Sequence, residues 1–398
     1  MYNLLNGLSV IEASSFVASP TAGLYLAQMG AEVIRVDQIG GGPDFRRWPV
    51  TEANDSLYWE NLNRAKKSVA LDLASPQGRE LLQELVCKTG QFVTNFPAKG
   101  FLSHAKLAEG RADLITVRVM GWADGSPALD YTVNNSVGYP MMTGAGPEPV
   151  NHVLPAWDLL TGAYAAFAML AAVQKRATTG EGLEVRIPLS DVAIGTVANL
   201  GGIAEMLHTG ANRPRLGNAV YGLFGRDFVT ADGVRTMIVV VTRRQWANLI
   251  TALKLENAVA ALEAERGVSF AKDDGLRFNH RDALYPLFGA AIAARSHADL
   301  AAAFDAGGIV HSAYRTMLDA ANDPALVANN PVFGAVANPS GFDYPAAGSF
   351  ATVPQLDRQA PQPAPRNGAN SEEILAERLG LSSGAIAALI DAGTVAKG

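Results

Sequence analysis

The first 120 residues alternate between short β-type runs and helical segments, and this alternation limits the possible folds more than any other feature. The predicted strands are 8–11, 32–37, 68–73, 91–94 and 113–120. Ser19-Pro20 and Ser75-Pro76 predict helix starts, because serine caps first-turn N–H groups and proline suits the first helical position. Strands that alternate with helices indicate an α/β fold with a mostly parallel sheet.

The remainder of the chain suggests further segments. Residues 157–176 predict a long helix that is apolar on nearly all sides and should therefore be buried. A stretch rich in Pro, Gly and Ala at 330–368 suits an extended connection. We therefore divide the chain into four parts. These are a large domain at 1–190, a linker helix at 191–214, a smaller α+β domain at 215–325, and an extended segment at 326–398 that ends in helices.

Composition and absent motifs exclude several classes of protein. The 32 Lys and Arg against 38 Asp and Glu give a net charge of −6, which disfavours nucleic-acid binding by bulk charge. One cysteine and scattered histidines predict neither a disulfide framework nor a metal site. The amino-terminal residues do not resemble a signal peptide, and the apolar run 159–173 is too short to span a bilayer, so we expect a cytoplasmic protein without a membrane partner. No GxGxxG, GxxxxGK[ST], HExxH or GxSxG motif is present.

Three features place charged or amide groups near predicted strand ends. Arg35 either meets a ligand or pairs with Asp37 or Glu32, because an unpaired buried charge is costly. The segment 63–67 contains three cations that either bind phosphates or form a solvated turn. Asn95-Phe96 follows a strand, where the asparagine either caps the next turn or contacts a ligand.

Asp158 is the fourth feature, in the first turn of the most apolar predicted helix. One interpretation is a helix-start residue stabilised by the macrodipole, worth about 0.3–1 kcal/mol. The other is a carboxylate kept ionised in a partly dry pocket, where it would act as a nucleophile. The residue pattern alone leaves both open.

The order of several segments resembles the class III CoA-transferases (CaiB/BaiF-like proteins), which include formyl-CoA transferases and α-methylacyl-CoA racemases. These segments are GLSVIEASSFVASPTAGLYLAQMGAEVIRVD, SLYWENLNRAKKSVALDL, VTNFPAKG, a lone Asp before a long apolar helix, TTGEGLEVRIPLSD and SEEILAERLGLSSGAIAALIDAG. The resemblance implies a Rossmann-like large domain, a smaller α+β domain, a return of residues 326–398 to the large domain, and an interlocked homodimer. It also implies a CoA thioester as substrate, with no permanently bound cofactor and no metal.

The resemblance implies roles for individual residues. Asp158 corresponds to the catalytic aspartate. The CoA-binding positions that it implies are Phe16, Val17, Arg35, Lys66, Lys67, Asn95 and Phe96. A basic residue of the family falls on Ser103 here, so Lys99, His104 or Lys106 would have to compensate.

Local stretches also resemble one branch of the family, whose enzymes act in the 3-hydroxypropionate cycle. The racemases carry a catalytic His where this chain has Asn135, and its absence disfavours two-base racemisation. IGGGPDFRRWPVT, DYTVN, PMMTG and VNHVLPAWD resemble the branch that moves CoA between the C1 and C4 carboxylates of mesaconate. The expected activity is therefore an intramolecular CoA transfer through an aspartyl-CoA thioester. The alternative is an intermolecular CoA-transferase that uses a second free acid.

An intramolecular transfer requires groups that hold the carboxylate not bound to CoA, which we call the idle carboxylate. The candidates from the sequence are Arg46, Arg47, Asn134, Asn135, Asn151 and His152. For Arg46-Arg47, a solvated loop is an equally good interpretation of the pattern.

Overall fold

The computed structural model describes residues 1–398 and has an α/β architecture. The strands are β1 Ser9–Ala13, β2 Glu32–Gln38, β3 Lys67–Leu71, β4 Gln91–Thr94, β5 Ile115–Met120, β6 Leu183–Pro188, β7 Phe224–Val229, β8 Arg235–Val240, β9 Val310–Ala313, β10 Phe333–Val336, β11 Tyr344–Ala347 and β12 Val395–Ala396. The helices are α1 Ala18–Gln28, α2 Leu57–Leu62, α3 Pro76–Thr89, α4 His104–Gly110, α5 Asp130–Ser136, α6 Tyr139–Met142, α7 Ala156–Thr179, α8 Leu189–Asn199, α9 Gly202–Thr209, α10 Arg243–Leu253, α11 Glu256–Arg266, α12 Asp274–Asn279, α13 Arg281–Ala293, α14 His297–Gly307, α15 Met317–Asn322, α16 Ser371–Leu379 and α17 Ser383–Asp391.

The chain forms two compact units. The first contains Met1–Val137, His152–Gly210 and Asn322–Gly398, and the second contains Gly138–Asn151 and Ala211–Ala321. The second unit is built on the antiparallel sheet β7-β8-β9 and an apolar core of its own, which includes Phe224, Trp246 and Phe288.

A seven-stranded sheet organises the first unit, in the order β12-β3-β2-β1-β4-β5-β6. All pairs are parallel except β12 with β3, where Val395 lies opposite Leu71. The order of β1 to β6 is that of a doubly wound dinucleotide-binding sheet, so the strand order reverses between β1 and β4. Ligands of such sheets bind at the carboxyl ends of the strands beside this reversal.

Local sequence explains most of these boundaries. Ser75 caps α3 by accepting the Gly78 N–H at 3.0 Å, and Gly90 ends the helix in the left-handed conformation, as expected. The expected cap at Ser19 is wrong, because α1 already begins at Ala18 and its N-cap, Val17, makes no side-chain bond. The expected single linker helix is also divided, since Gly201 with φ 79° separates α8 from α9.

Helix α7 is buried on one side only, which corrects the expectation of full burial. Gly162 permits close packing on α1, because a Cβ there would lie 2.6 Å from the Ala18 carbonyl oxygen. The exposed side carries the apolar residues Leu160, Tyr164, Phe167 and Leu170. The helix extends beyond the apolar run 159–173, so the expectation that this segment is too short to span a bilayer is wrong by length and composition. The core helix of a globular protein meets the same criterion.

Candidate active site

The turn after β1 lies at the reversal of the strand order and is held by side chains from neighbouring segments. The Asn95 side chain accepts the Ser15 N–H at 3.1 Å and donates to the Ser15 carbonyl at 2.8 Å. The Phe16 N–H donates to Asp44 Oδ2 at 3.0 Å, and Phe16 has φ 65°. These contacts fix the unusual backbone of the turn, and the Phe16 ring stays partly exposed while Val17 is buried.

A buried cluster of charged side chains centred on Arg35 lies next to this turn. Arg35 donates to Asp37 at 2.8 and 2.9 Å, to Glu12 at 2.9 Å and to Asn63 at 2.9 Å. It also donates to the Ser14 carbonyl at 2.9 Å, at the start of the turn. The pairing of Arg35 with Asp37 that the sequence left open is therefore present, and the guanidinium presents no surface to a phosphate.

Lys66 and Lys67, which the resemblance assigns to CoA binding, also have protein partners. Lys66 Nζ is buried against Glu12 at 2.8 Å and Asn63 at 2.8 Å. Burial lowers the pKa of Lys66 to about 8, and the charge of Glu12 opposes that change. Lys67 lies at the amino end of β3, away from the carboxyl edge, and its Nζ is 3.1 Å from Glu32.

Segment 95–106 contains the remaining positions that the resemblance singled out. Phe96 follows β4 and packs partly against the core, and its carbonyl accepts a hydrogen bond from Arg118 at 2.6 Å. Ser103, where the family has a cation, caps α4 by accepting the Lys106 N–H at 3.3 Å. Ser103 therefore stabilises the start of α4.

Asp158 is the third residue of α7, and its surroundings are specific. Its backbone N–H and that of Trp157 donate to Asp130 Oδ2 at 3.0 and 2.7 Å, and His152 Nε2 bonds to Asp130 Oδ1. The Trp157 indole N–H donates to Asn134 Oδ1 at 3.0 Å. Burial and, to a smaller extent, the nearby charge of Asp130 raise the pKa of Asp158 to about 7, although Arg47 opposes the rise. The group is thus poised between acid and carboxylate near neutral pH.

Arg47 acts electrostatically on Asp158 and lies against two aromatic rings. The Arg47 guanidinium lies 5.6 Å from the Phe16 ring centroid and 4.8 Å from that of Tyr58. Burial raises the pKa of the Tyr58 hydroxyl, while Arg47 lowers it and Asp158 raises it. The structure therefore brings Asp158, Phe16 and Arg47 together.

Other candidates lie elsewhere or have different partners. Arg46 is exposed and lines a separate cavity with Asp55 and Arg366. Asn135 is exposed, whereas its neighbour Asn134 is buried, and Asn151 belongs to the second unit. No cluster of three or more His, Cys, Asp or Glu residues suited to a metal is present.

Sequence reasoning missed Asp130 and Tyr58. Each belongs to a stretch that was noted only as a segment of the resemblance. A weak signal for Asp130 was an acidic residue at the start of a short amphipathic segment. Its contact with the start of α7, 28 residues away, has no local signature.

Comparison with known proteins places this geometry in context. Residues 5–371 match the family model described as CoA-transferase family III. The chain is 45% identical over its full length, and over 98% of the relative, to 2-methylfumaryl-CoA isomerase of Chloroflexus aurantiacus. It is 27% identical to succinyl-CoA–D-citramalate CoA-transferase of the same organism, over 97% of this chain and 96% of that one.

A solved structure shows the same fold. The crystal structure of a CAIB/BAIF family protein from Brucella suis superposes with a TM-score of 0.76 at 25% identity, covering 95% of this chain and all of the other. The family uses CoA thioesters as substrates, and Asp158 lies in the first turn of α7. The chain belongs to CoA-transferase family III.

Proposed function

We propose that this enzyme moves CoA between the C1 and C4 carboxylates of mesaconate within one substrate molecule. The observation that carries the proposal is Asp158, a half-buried carboxylate at a helix start whose pKa is raised to about 7. The 45% identity to 2-methylfumaryl-CoA isomerase supports the choice of substrate. The proposal includes a cytoplasmic enzyme whose CoA thioester is substrate and not a resident cofactor.

The chemistry proceeds through two acyl exchanges on Asp158. Its carboxylate attacks the C1 thioester carbonyl, the C–S bond breaks, and a mixed anhydride and CoA thiolate form. The thiolate attacks the aspartyl carbonyl, which gives an aspartyl-CoA thioester and a free C1 carboxylate. Dividing one difficult exchange into easier steps is the advantage of covalent catalysis.

The second half reverses these steps at the other end of the diacid. The C4 carboxylate attacks the aspartyl thioester carbonyl and releases CoA thiolate, again through a mixed anhydride. The thiolate then attacks the C4 acyl carbonyl, which forms the 4-CoA ester and returns Asp158 as a carboxylate. No external acid is consumed, and the atoms and charges balance.

Arg47 is the cation best placed to retain the diacid between the two halves. Its guanidinium lies against Phe16 and Tyr58 and acts electrostatically on Asp158, so it can hold an idle carboxylate near the reacting group. A retained and well-oriented acid has an effective concentration of up to ~10⁵ M or more. Reattack is therefore faster than exchange with acids in solution.

We propose that the CoA moiety reaches Asp158 along the carboxyl ends of β1 and β4, past Phe16, Val17, Asn95 and Phe96. The reversal of strand order at this point and the partly exposed Phe16 ring support this path. The full burial of Arg35 and Lys66 argues that they support the turn from below, so we do not assign them phosphate contacts.

We also propose a homodimer in which the exposed apolar side of α7 is covered. Leu160, Tyr164, Phe167 and Leu170 recur at helical spacing along one side of α7. A contiguous apolar stripe of this length is unusual on an isolated chain and is typical of an interface. The interlocked arrangement that the family resemblance implies is part of this proposal.

The deciding experiment incubates purified enzyme with the 1-CoA ester of mesaconate and no other acid. We expect the 4-CoA ester to form, with no incorporation from labelled free mesaconate. Product that appears only when a second free carboxylic acid is added would reject the intramolecular reaction and favour the intermolecular transferase.

Asp158→Ala should abolish conversion because no other group supplies the nucleophile. We expect a loss of at least a thousandfold in kcat, with folding and binding of the CoA ester retained. Asp124→Ala is the matched control, since Asp124 is an exposed loop aspartate bonded to Ser126. Conversion by Asp158→Ala above a thousandth of the normal rate would contradict the assignment.

A further inference from the structure

Asp130 supplies the cap that α7 lacks locally. The first N–H groups of a helix have no acceptor within it. Pro155, at the N-cap of α7, makes no side-chain bond to them. Asp130 Oδ2 accepts the N–H groups of both Trp157 and Asp158, at 2.7 and 3.0 Å, and its side chain is 1% exposed. The start of the helix that bears the nucleophile is therefore held by a residue from α5.

His152 completes the coordination of this carboxylate. Its Nε2 bonds to Asp130 Oδ1, so hydrogen-bond donors occupy both oxygens. An ionised carboxylate only accepts hydrogen bonds, which assigns the proton to Nε2 of the imidazole. The His152 ring also packs edge-on against Tyr131, with centroids 5.8 Å apart, and 6.4 Å from the Trp157 ring. Its orientation is thus fixed on more than one side.

We propose that Asp130 and His152 act as a positioning pair that fixes the first turn of α7, and with it the place of the Asp158 carboxylate during CoA transfer. The inference rests on the proposed function of Asp158 as the nucleophile. It gives His152 a role different from the one considered from the sequence, since its Nε2 binds Asp130 and not the idle carboxylate of the substrate.

The same geometry has an electrostatic consequence. Asp130 is a fixed negative charge next to the Asp158 backbone and raises the pKa of Asp158, in addition to the larger effect of burial. Arg47 opposes it, and Tyr58, Tyr131 and His152 are the other titratable groups around the site. A neutral side chain at position 130 should therefore lower the pKa of Asp158 even when the cap is retained.

Two substitutions separate these effects. Asp130→Ala removes the acceptor of the two N–H groups. We expect kcat to fall about a hundredfold, because a small displacement of a reacting group has an effect of this size. We expect KM for the CoA ester to stay within about threefold of normal. Asp130→Asn retains an acceptor oxygen but not the charge. We expect a smaller loss of kcat and an acid limb of the pH profile that moves to lower pH.

Variants of His152 test the second member of the pair. Gln can present an N–H donor near the position of Nε2, so His152→Gln should retain most of the activity that His152→Ala loses. Ser75→Ala is the matched control for removal of a helix cap, since Ser75 caps α3 away from the site. We expect it to lower stability and to leave kcat and the pH profile unchanged.

A measurement that does not require turnover keeps this inference separate from the proposed function. Carbodiimide modification of Asp158, followed by peptide mass against pH, reports the ionisation of its carboxyl directly. If the wild-type enzyme showed no CoA transfer, the proposed function would be rejected. The pH dependence of Asp158 labelling would still test the positioning pair of Asp130 and His152. An unchanged labelling profile in Asp130→Asn, or normal kcat in Asp130→Ala, would overturn the inference. Should Asp130→Ala not fold, Asp130→Asn carries the test alone.

Discussion

Replacing Arg35 with methionine tests whether this residue supports the fold or binds the substrate. The arginine is fully buried and donates hydrogen bonds to Asp37, Glu12, Asn63 and the Ser14 carbonyl. Methionine has a similar length but no charge. Arg35→Met would therefore leave buried carboxylates facing one another with Lys66 as the remaining cation.

The expected loss of stability is large. Breaking a buried ion pair by removing one partner costs about 3–5 kcal/mol, because the remaining charge is buried without compensation. Arg35 faces three carboxylates within 3.5 Å, so we expect the upper part of this range. An exposed pair would contribute only ~0–1 kcal/mol. A large loss of stability in Arg35→Met would therefore indicate a structural role, whereas a small loss would indicate an exposed contact with the substrate.

The assay is urea unfolding followed by circular dichroism, together with KM for the CoA ester on the folded variant. Lys175→Met is the control, since Lys175 forms an exposed pair with Glu181 and its loss should change stability little. A folded Arg35→Met variant with nearly normal stability but a strongly raised KM would refute the structural interpretation and would support Arg35 as a CoA-binding residue.

Two further predictions concern the charge at the site and the state of assembly. Only ionised Asp158 attacks, so the rate should fall as pH drops through its pKa of about 7. Because Arg47 lowers this pKa, Arg47→Met should move the acid limb of the kcat/KM profile to higher pH. A shift to lower pH would contradict the geometry. Sedimentation of the wild-type protein at low micromolar concentration should give a dimer. Phe167→Glu, on the exposed side of α7, should impair assembly of this dimer. A folded, active wild-type monomer would exclude the proposed dimer.

The strand and helix pattern was predictable because its determinants are local. Ser75 and Gly90 mark both ends of α3, and β4 has the expected bounds, since caps, glycine conformations and β-branched runs act within a few residues. The position of Asp158 in the first turn of α7 followed from the same local signals. The catalytic role that we propose for Asp158 came from the family resemblance, because the residue pattern alone left two interpretations open.

The partners of buried charges were not predictable from the sequence. Asp37 was one of two pairing options for Arg35. Glu12 meets Arg35 because β1 pairs with β2, and Asp44 reaches it from the loop that follows β2. The link from Asp130 to the start of α7 likewise depends on the packing of α5. The distance along the chain carries no information about such contacts, because tertiary packing alone decides them.

The antiparallel strand β12 has a consequence for how this protein is made. Ala70 in β3 donates its N–H to Ser371, 301 residues later, and β12 pairs with the same strand from further along the chain. During synthesis, β3 therefore emerges long before the segments that cover its outer edge. An uncovered strand edge is a template for pairing with other chains, so the nascent protein passes through an aggregation-prone stage. Slower synthesis at low temperature, or a chaperone that shields this edge, should increase the yield of folded enzyme.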